Sequence, residues 1–102
     1  MLVTLHGDAK EARSKLEGHY ILQTDPVNKK PWWFNERETA IWWYKEGGKW
    51  FIGAKGDLGD WGTNGIFSED DVEDPLQALT WEYYNGGFIK SKDILVTRTG
   101  NL

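Results

Sequence analysis

Aromatic side chains at alternate positions are the residues whose chemistry is easiest to recognise in this sequence. The chain of 102 residues contains seven Trp, four Tyr and four Phe. Exposed rings of this kind stack on sugar faces, on proline-rich peptides and on apolar patches of other proteins. The residues predicted to form a ligand-binding or partner-binding surface are Trp42, Tyr44, Trp61, Trp81 and Tyr83. The alternative is that a curled sheet encloses the same rings as its core.

The polar, glycine-rich loop at 57–65 is a second candidate site. Counted from Asp60, the spacing loosely matches a calcium-binding loop, with Asn64 and Asp71 as further ligands. However, Gly62 stands where another ligand is expected, and Asp and Gly are also typical of any flexible turn. An ordinary loop is therefore favoured, no metal site is predicted, and calcium binding is kept as the lesser alternative.

Recognisable catalytic motifs are missing from the sequence. The residues His6 and His19 lie outside any motif, and the carboxylates of Glu36 and Glu38 are interpreted as solvent-facing charges of a strand or turn. The chain has no Cys, which excludes a thiol nucleophile and a zinc thiolate site. We therefore predict a protein that is not an enzyme and that uses no cofactor.

Charge and hydropathy narrow the set of partners. The formal net charge of −4 and the pI of about 5.1 oppose the attraction to phosphates on which nucleic-acid binding depends. No run approaches the roughly 20 apolar residues that span a bilayer, and the apolar run at 1–5 is too short for a signal-peptide core. We predict a soluble domain without nucleic-acid binding or membrane insertion. The absence of Cys fits the cytoplasm, but the compartment stays open.

The elements that must position these residues are mostly strands. Residues 8–18 predict one short helix, with Asp8 as its N-cap and Gly18 as its stop. From His19 onward, β-branched and aromatic runs alternate with Gly, Asn, Asp and Pro, which is typical of strands joined by tight turns. The predicted strands are 19–24, 31–35, 40–45, 49–54, 65–67, 80–84, 87–91 and 94–98.

This succession of elements predicts the fold class. The fold is expected to be mainly β, a small antiparallel meander or barrel of about seven or eight short strands with one short N-terminal helix. The length fits a single domain, 1–102. We divide it into an N-terminal helical segment at 1–17, a β domain at 18–98 and a tail at 99–102.

Two Gly-Gly pairs, at 47–48 and 86–87, predict two-residue hairpin turns that sort the rings into two faces. The predicted core face of the first hairpin carries Ile41, Trp43, Trp50 and Ile52, and its outward face carries Trp42, Tyr44 and Phe51. The second hairpin is predicted to expose Trp81, Tyr83 and Phe88 on one face, with Lys90 and Lys92 opposite the first two. We therefore expect Trp43→Ala to cost several kcal/mol of stability and Trp42→Ala markedly less.

Several short runs carry a resemblance to a known group of domains. They are Gly18-His19-Tyr20, Asn28-Lys29-Lys30-Pro31-Trp32, Ile41-Trp42-Trp43-Tyr44, Trp50-Phe51-Ile52-Gly53, Pro75 and Trp81-Glu82-Tyr83-Tyr84. With them, residues 18–96 resemble a Trp-rich β module of multidomain eukaryotic proteins, many of them from protists. The resemblance implies a recurrent accessory domain with no assigned activity, and it supplies no ligand-binding residues. Whether the chain is an excised domain or a complete subunit stays open.

These observations together predict a non-catalytic interaction or assembly module. It is expected to bind a protein partner through exposed aromatic residues. The alternative is a carbohydrate-binding module that uses Trp and Tyr as stacking platforms. A small enzyme or a calcium-responsive domain is the third reading.

Overall fold

Ten β-strands in two antiparallel sheets contain just under half of residues 1–62 and 64–98, the part of the chain that the computed structural model describes. One α-helix lies near the N-terminus, so the mainly β class with a short N-terminal helix is confirmed. In chain order the elements are β1 (Leu2–Leu5), α1 (Gly7–Arg13), β2 (Gly18–His19), β3 (Ile21–Val27), β4 (Lys30–Asn35), β5 (Thr39–Tyr44), β6 (Lys49–Ala54), β7 (Ile66–Ser68), β8 (Trp81–Tyr84), β9 (Phe88–Ser91) and β10 (Ile94–Thr97). Short 3-10 turns lie at Ser14–Leu16, Lys55–Asp57 and Pro75–Gln77.

The larger sheet is a meander in which β3 to β9 lie side by side in sequence order. Each strand pairs antiparallel with the next one along the chain. Tight turns join β3 to β6 in succession and join β8 to β9, because neighbouring antiparallel strands need only a short connection. Longer connections, at 55–65 and 69–80, join β6 to β7 and β7 to β8. The predicted meander is therefore present.

The smaller sheet has the order β10-β1-β2, and β1 was not predicted. Residues 1–17 were expected to be helical only, but Leu2–Leu5 alternate toward the core, with Val3 and Leu5 buried. The expected strand at 19–24 is divided at Tyr20, whose backbone N–H donates to the Met1 carbonyl at 2.7 Å. This division moves the chain from one sheet to the other.

The helix is shorter than expected. Its N-cap position is occupied by His6 rather than Asp8, with no side-chain cap hydrogen bond. Gly18 lies in β2 with a φ of 138° and is not the helix stop. The predicted apolar stripe is present, since Ala9 and Leu16 are buried in the core and Ala12 packs against it.

The larger sheet has two apolar faces. The inner face, formed by Ile41, Trp50, Ile52, Ile66, Trp81 and Tyr83, packs with Val3, Leu5, Ala9, Leu16, Tyr20 and Ile94. The outer face is formed by Ala40, Trp42, Phe51 and Phe67, with Tyr44 and Leu58 packed against it. The division of side chains between the two faces of the first hairpin was therefore predicted correctly. The pairing of residues across its turn was not. Tyr44 pairs with Lys49 and Trp42 with Phe51, across a turn of residues 45–48.

The second hairpin also differs from the prediction, and here the difference changes which residues face which side. Tyr84 pairs with Phe88 and Tyr83 with Ile89, across residues 85–87. This register differs by one residue from that of a two-residue turn, and a shift of one residue moves side chains to the opposite face. Phe88 therefore shares the outer face with Tyr84 rather than with Tyr83.

Helices long and apolar enough to span a bilayer do not occur among residues 1–62 and 64–98.

Candidate functional site

The loop after β6 covers the middle of the outer face. Leu58 packs against the outer-face cluster, and the indole N–H of Trp42 donates to the Asp60 carbonyl at 3.1 Å. The Trp42 ring also stacks on Phe51, with centroids 5.1 Å apart and planes 28° apart, and its exposed fraction is 0%. The prediction that Trp42 faces solvent is wrong, because a loop distant in sequence shields it.

Trp61 stands at the edge of this cover and remains 41% exposed. Its ring centroid lies 4.9 Å from that of Phe51, 4.8 Å from that of Phe67 and 5.5 Å from that of Tyr44. Two of the predicted binding residues, Trp61 and the half-buried Tyr44, are therefore in contact with each other. Trp61 is the one that presents a large part of its ring to solvent.

Trp81 and Tyr83 are buried on the inner face, so the prediction that they are exposed is wrong. The alternation within β8 is as expected, but the smaller sheet and α1 pack over the face to which these rings point. The Arg13 guanidinium also lies 5.5 Å from the centroid of the Tyr83 ring. Lys90 is opposite Glu82, and Ser91 is opposite Trp81.

Tyr84 is the exposed ring that sequence reasoning missed, and Phe88 was expected to be exposed but beside Tyr83 rather than Tyr84. They are 50% and 65% exposed, and their centroids lie 5.3 Å apart in an edge-on arrangement. Phe88 also packs edge-on against Phe67, at 5.8 Å. A signal for this pair was present in Asn85, because a turn that includes this residue as well as the two glycines places Tyr84 opposite Phe88.

The exposed rings of the outer face enclose an open cleft of about 380 Å³. This aromatic cleft is lined by Phe51, Trp61, Gly62, Gly65, Phe67, Tyr84 and Phe88. Gly65 is required here, because a Cβ at this position would overlap the Phe51 ring. A Cβ on Gly62 would lie 2.7 Å from Oδ2 of Asp57. Gly65 lets the loop approach the Phe51 ring closely, and Gly62 lets it approach the Asp57 side chain.

Two lysines of the larger sheet make contacts from outside the lining of the aromatic cleft. The Lys49 ammonium is 5.3 Å from the centroid of the Phe67 ring. Lys90 Nζ donates to Glu69 Oε1 at 3.0 Å, and this hydrogen bond, with the charge of Glu69, raises the pKa of Lys90. Ammonium groups next to ring faces add an electrostatic attraction to the packing.

The acidic segment 69–74 is tied into the fold by its own hydrogen bonds. Asp70 Oδ2 accepts from the backbone N–H of Leu79 at 2.8 Å, and Asp74 Oδ1 accepts from that of Leu76 at 2.8 Å. The Val72 carbonyl accepts from the indole of Trp50 at 2.9 Å. These contacts make the segment a structural loop that closes the end of the inner core.

The candidate calcium ligands are placed as follows. Asp60 uses its backbone carbonyl to hold Trp42, and Asp71 Oδ2 lies beside the turn between β5 and β6, 3.9 Å from the Cβ position of Gly48. Asn64 lines a neighbouring cleft next to Arg13. Within the described part of the chain, no three His, Asp or Glu side chains gather as a metal ion would require.

The chain matches no protein-family model, no curated protein and no solved structure.

Proposed function

We propose that this protein is a non-catalytic binding module that holds an apolar side chain of a protein partner in the aromatic cleft. The observation that carries the proposal is the convergence of Trp61, Tyr84 and Phe88. These are the most exposed aromatic rings described, and they lie around one cleft. Exposed rings that meet at one place are typical of binding surfaces, because they bury much area while losing little conformational entropy.

The lining of the cleft favours a protein partner over a carbohydrate. A sugar carries hydroxyl groups on its edges, and these need polar partners when they are removed from water. Among the described residues that line the cleft, the polar side-chain groups are the hydroxyl of Tyr84 and the indole N–H of Trp61, and none is charged. An apolar side chain needs no such partner and gains from contact with the rings of Phe67 and Phe88.

The same lining supports binding rather than catalysis. Rings and glycines offer stacking and burial, whereas acid–base chemistry needs a positioned carboxylate, imidazole or amine. The resemblance to Trp-rich β modules implies an accessory domain, and such a role agrees with a binding cleft. That resemblance and the absence of activity both stay predictions.

A displayed library of random peptides tests the proposal when the partner is unknown. The wild-type chain is the bait, and Phe88→Ala is the variant that opens the cleft. We expect the wild type to enrich peptides with a shared apolar residue and Phe88→Ala to lose them. Leu79→Ala is the matched control, because Leu79 is 90% exposed and lies outside the cleft.

A glycan array, probed with the same three proteins, separates the carbohydrate alternative. If the wild type binds a glycan, Phe88→Ala abolishes that binding and no peptide is enriched, then the ligand is a carbohydrate and not a protein. Peptides that bind the wild type and Phe88→Ala equally would show that the cleft is not the site. Either result overturns the proposal.

A further inference from the structure

A second cleft adjoins the aromatic cleft. It has a volume of about 430 Å³ and lies between the end of α1 and the loop after β6. Phe51, Gly62 and Gly65 line both clefts, so the two clefts adjoin, and together they are called the groove. The second cleft is more polar, and among the residues that line it are Arg13, Lys15, Thr39, Ala54 and Asp57.

Arg13 lies at the junction of the two clefts. It lines the second cleft, while its Nη2 donates to the carbonyl of Tyr84, a residue of the aromatic cleft, at 2.5 Å. Its Nη1 donates to the Ala12 carbonyl at 2.9 Å and its Nε to the Gly65 carbonyl at 3.5 Å. These bonds link α1, the loop and β8, and they hold the guanidinium in one orientation.

The positive charge of Arg13 is not balanced by a carboxylate. The ion pairs found in the described part of the chain are Lys10–Glu17, Lys30–Glu73 and Lys90–Glu69, and Arg13 belongs to none of them. A guanidinium carries five N–H donors, so three bonds to carbonyls leave donors available. Carboxylate is the group that matches the fork of a guanidinium best.

Asp57 lies in the same cleft, and its Oδ2 faces Gly62. Its negative charge opposes any anion in this cleft, the carboxylate of a peptide side chain included. A peptide differs from a free anion because its backbone N–H groups can donate to such a carboxylate while its side chain meets the guanidinium. The pair of charges therefore favours an extended peptide over an isolated anion.

We infer that the groove recognises an extended peptide segment with an apolar residue in the aromatic cleft and an Asp or Glu at Arg13. This inference rests on the proposed function and names the partner chemistry of the same site. Side chains on one side of an extended peptide are two positions apart, so the acidic residue should stand two positions from the apolar one.

Two capped pentapeptides test this inference. The first is Ac-Glu-Gly-Phe-Gly-Glu-NH2, which offers a carboxylate in either chain direction, and the second carries Gln in place of both Glu. Their affinities are measured by NMR titration of the 15N-labelled chain, with the indole N–H of Trp61 as the reporter. We expect the Glu peptide to bind about fivefold more tightly than the Gln peptide.

Arg13→Gln should abolish this preference, so that the two peptides bind the variant with equal affinity. A purely structural role for Arg13 would instead weaken both peptides equally. Lys92→Gln is the charge-matched control, since Lys92 is exposed and does not line either cleft. If Arg13→Gln does not fold, Arg13→Lys keeps the charge without the fork, and a reduced preference is then the expected result.

The outcomes separate the two proposals. The role assigned to the acidic residue is overturned if the wild type binds both peptides equally, or if the preference survives in Arg13→Gln and Arg13→Lys. Either result leaves the proposal for the aromatic cleft in place. Binding of neither peptide at millimolar concentration overturns the inference and counts against the proposed function as well.

Discussion

The Trp61 ring packs edge-on against Phe51, with centroids 4.9 Å apart and planes 66° apart. This contact joins a loop residue to the centre of the outer face. On one side of it the face is closed, and Trp42 is removed from water. On the other side, Phe67, Tyr84 and Phe88 remain around an open cleft. The Trp61 ring therefore separates the buried part of the outer face from the open cleft.

Trp42→Ala should destabilise the protein more than Trp43→Ala, which reverses the order expected from the sequence. Truncation of a fully buried Trp costs about 3–5 kcal/mol, and Trp42 also loses its hydrogen bond to the Asp60 carbonyl. Trp43 is only half-buried, so its truncation leaves a smaller cavity. Urea unfolding of both variants measures the difference. A larger loss for Trp43→Ala would mean that the loop does not cover Trp42.

Gly65→Ala should destabilise the protein by about 1–3 kcal/mol, because the new methyl group would overlap the Phe51 ring and displace it. Gly87→Ala is the matched control, since nothing lies within 4 Å of its Cβ position and its φ is not positive. The free energies of unfolding of the two variants should therefore differ clearly. Equal values would contradict the close approach of the loop to the outer face.

Trp61→Phe should remove the largest part of the fluorescence that acrylamide quenches. Of the other indoles, Trp42, Trp50 and Trp81 are buried, and Trp32, Trp33 and Trp43 are half-buried. The control is Trp81→Phe, which removes a shielded indole and should leave the quenchable component in place. The reverse result, with quenching preserved in Trp61→Phe, would place the exposed indole elsewhere.

Stability should fall as the pH rises from about 10 to about 12 because of Tyr20. Burial raises the pKa of this phenol from 10.0 to about 12, against the opposing effects of the hydrogen bond with Thr39 and the charge of Arg37. The unfolded chain therefore releases the proton first, and the stabilisation that is complete below pH 10 decreases through this window. The total loss is about 2–3 kcal/mol.

Tyr20→Phe provides the comparison for this pH dependence. Tyr20 donates to the Leu16 carbonyl at 2.6 Å and accepts from Thr39 at 3.0 Å, so the variant is less stable at neutral pH. Its unfolding free energy should nevertheless change less between pH 10 and pH 12 than that of the wild type. Parallel curves for the two proteins would show that Tyr20 is not the group responsible.

Much of the local structure could be predicted, because local patterns determine it. All of the predicted strands correspond to observed ones, and the two faces of the first hairpin were sorted correctly. Alternation is a property of the extended backbone itself, so the separation of Trp43 and Trp50 from Trp42 and Phe51 follows without any tertiary contact. An error of two residues in the register, as at the turn 45–48, leaves that separation intact.

The candidate site could be predicted only in part. Trp61 was identified because a large ring in a polar loop is unusual, and the structure brings it to the cleft. Tyr84 was missed and Phe88 was placed beside Tyr83, because their pairing depends on one residue in the length of a turn. Arg13 was also missed, since it reaches the Tyr84 carbonyl across 71 positions of the chain.

The amino-acid pattern by itself determined which residues form strands and which side chains share a face. The tertiary structure decided which face is shielded from water, because the two faces of a strand are equivalent until something distant packs on one of them. The smaller sheet and α1 cover the rings of Trp81 and Tyr83, and the Asp60–Trp61 segment covers Trp42. What remains open, next to Tyr84 and Phe88, is the surface that these long-range contacts leave uncovered.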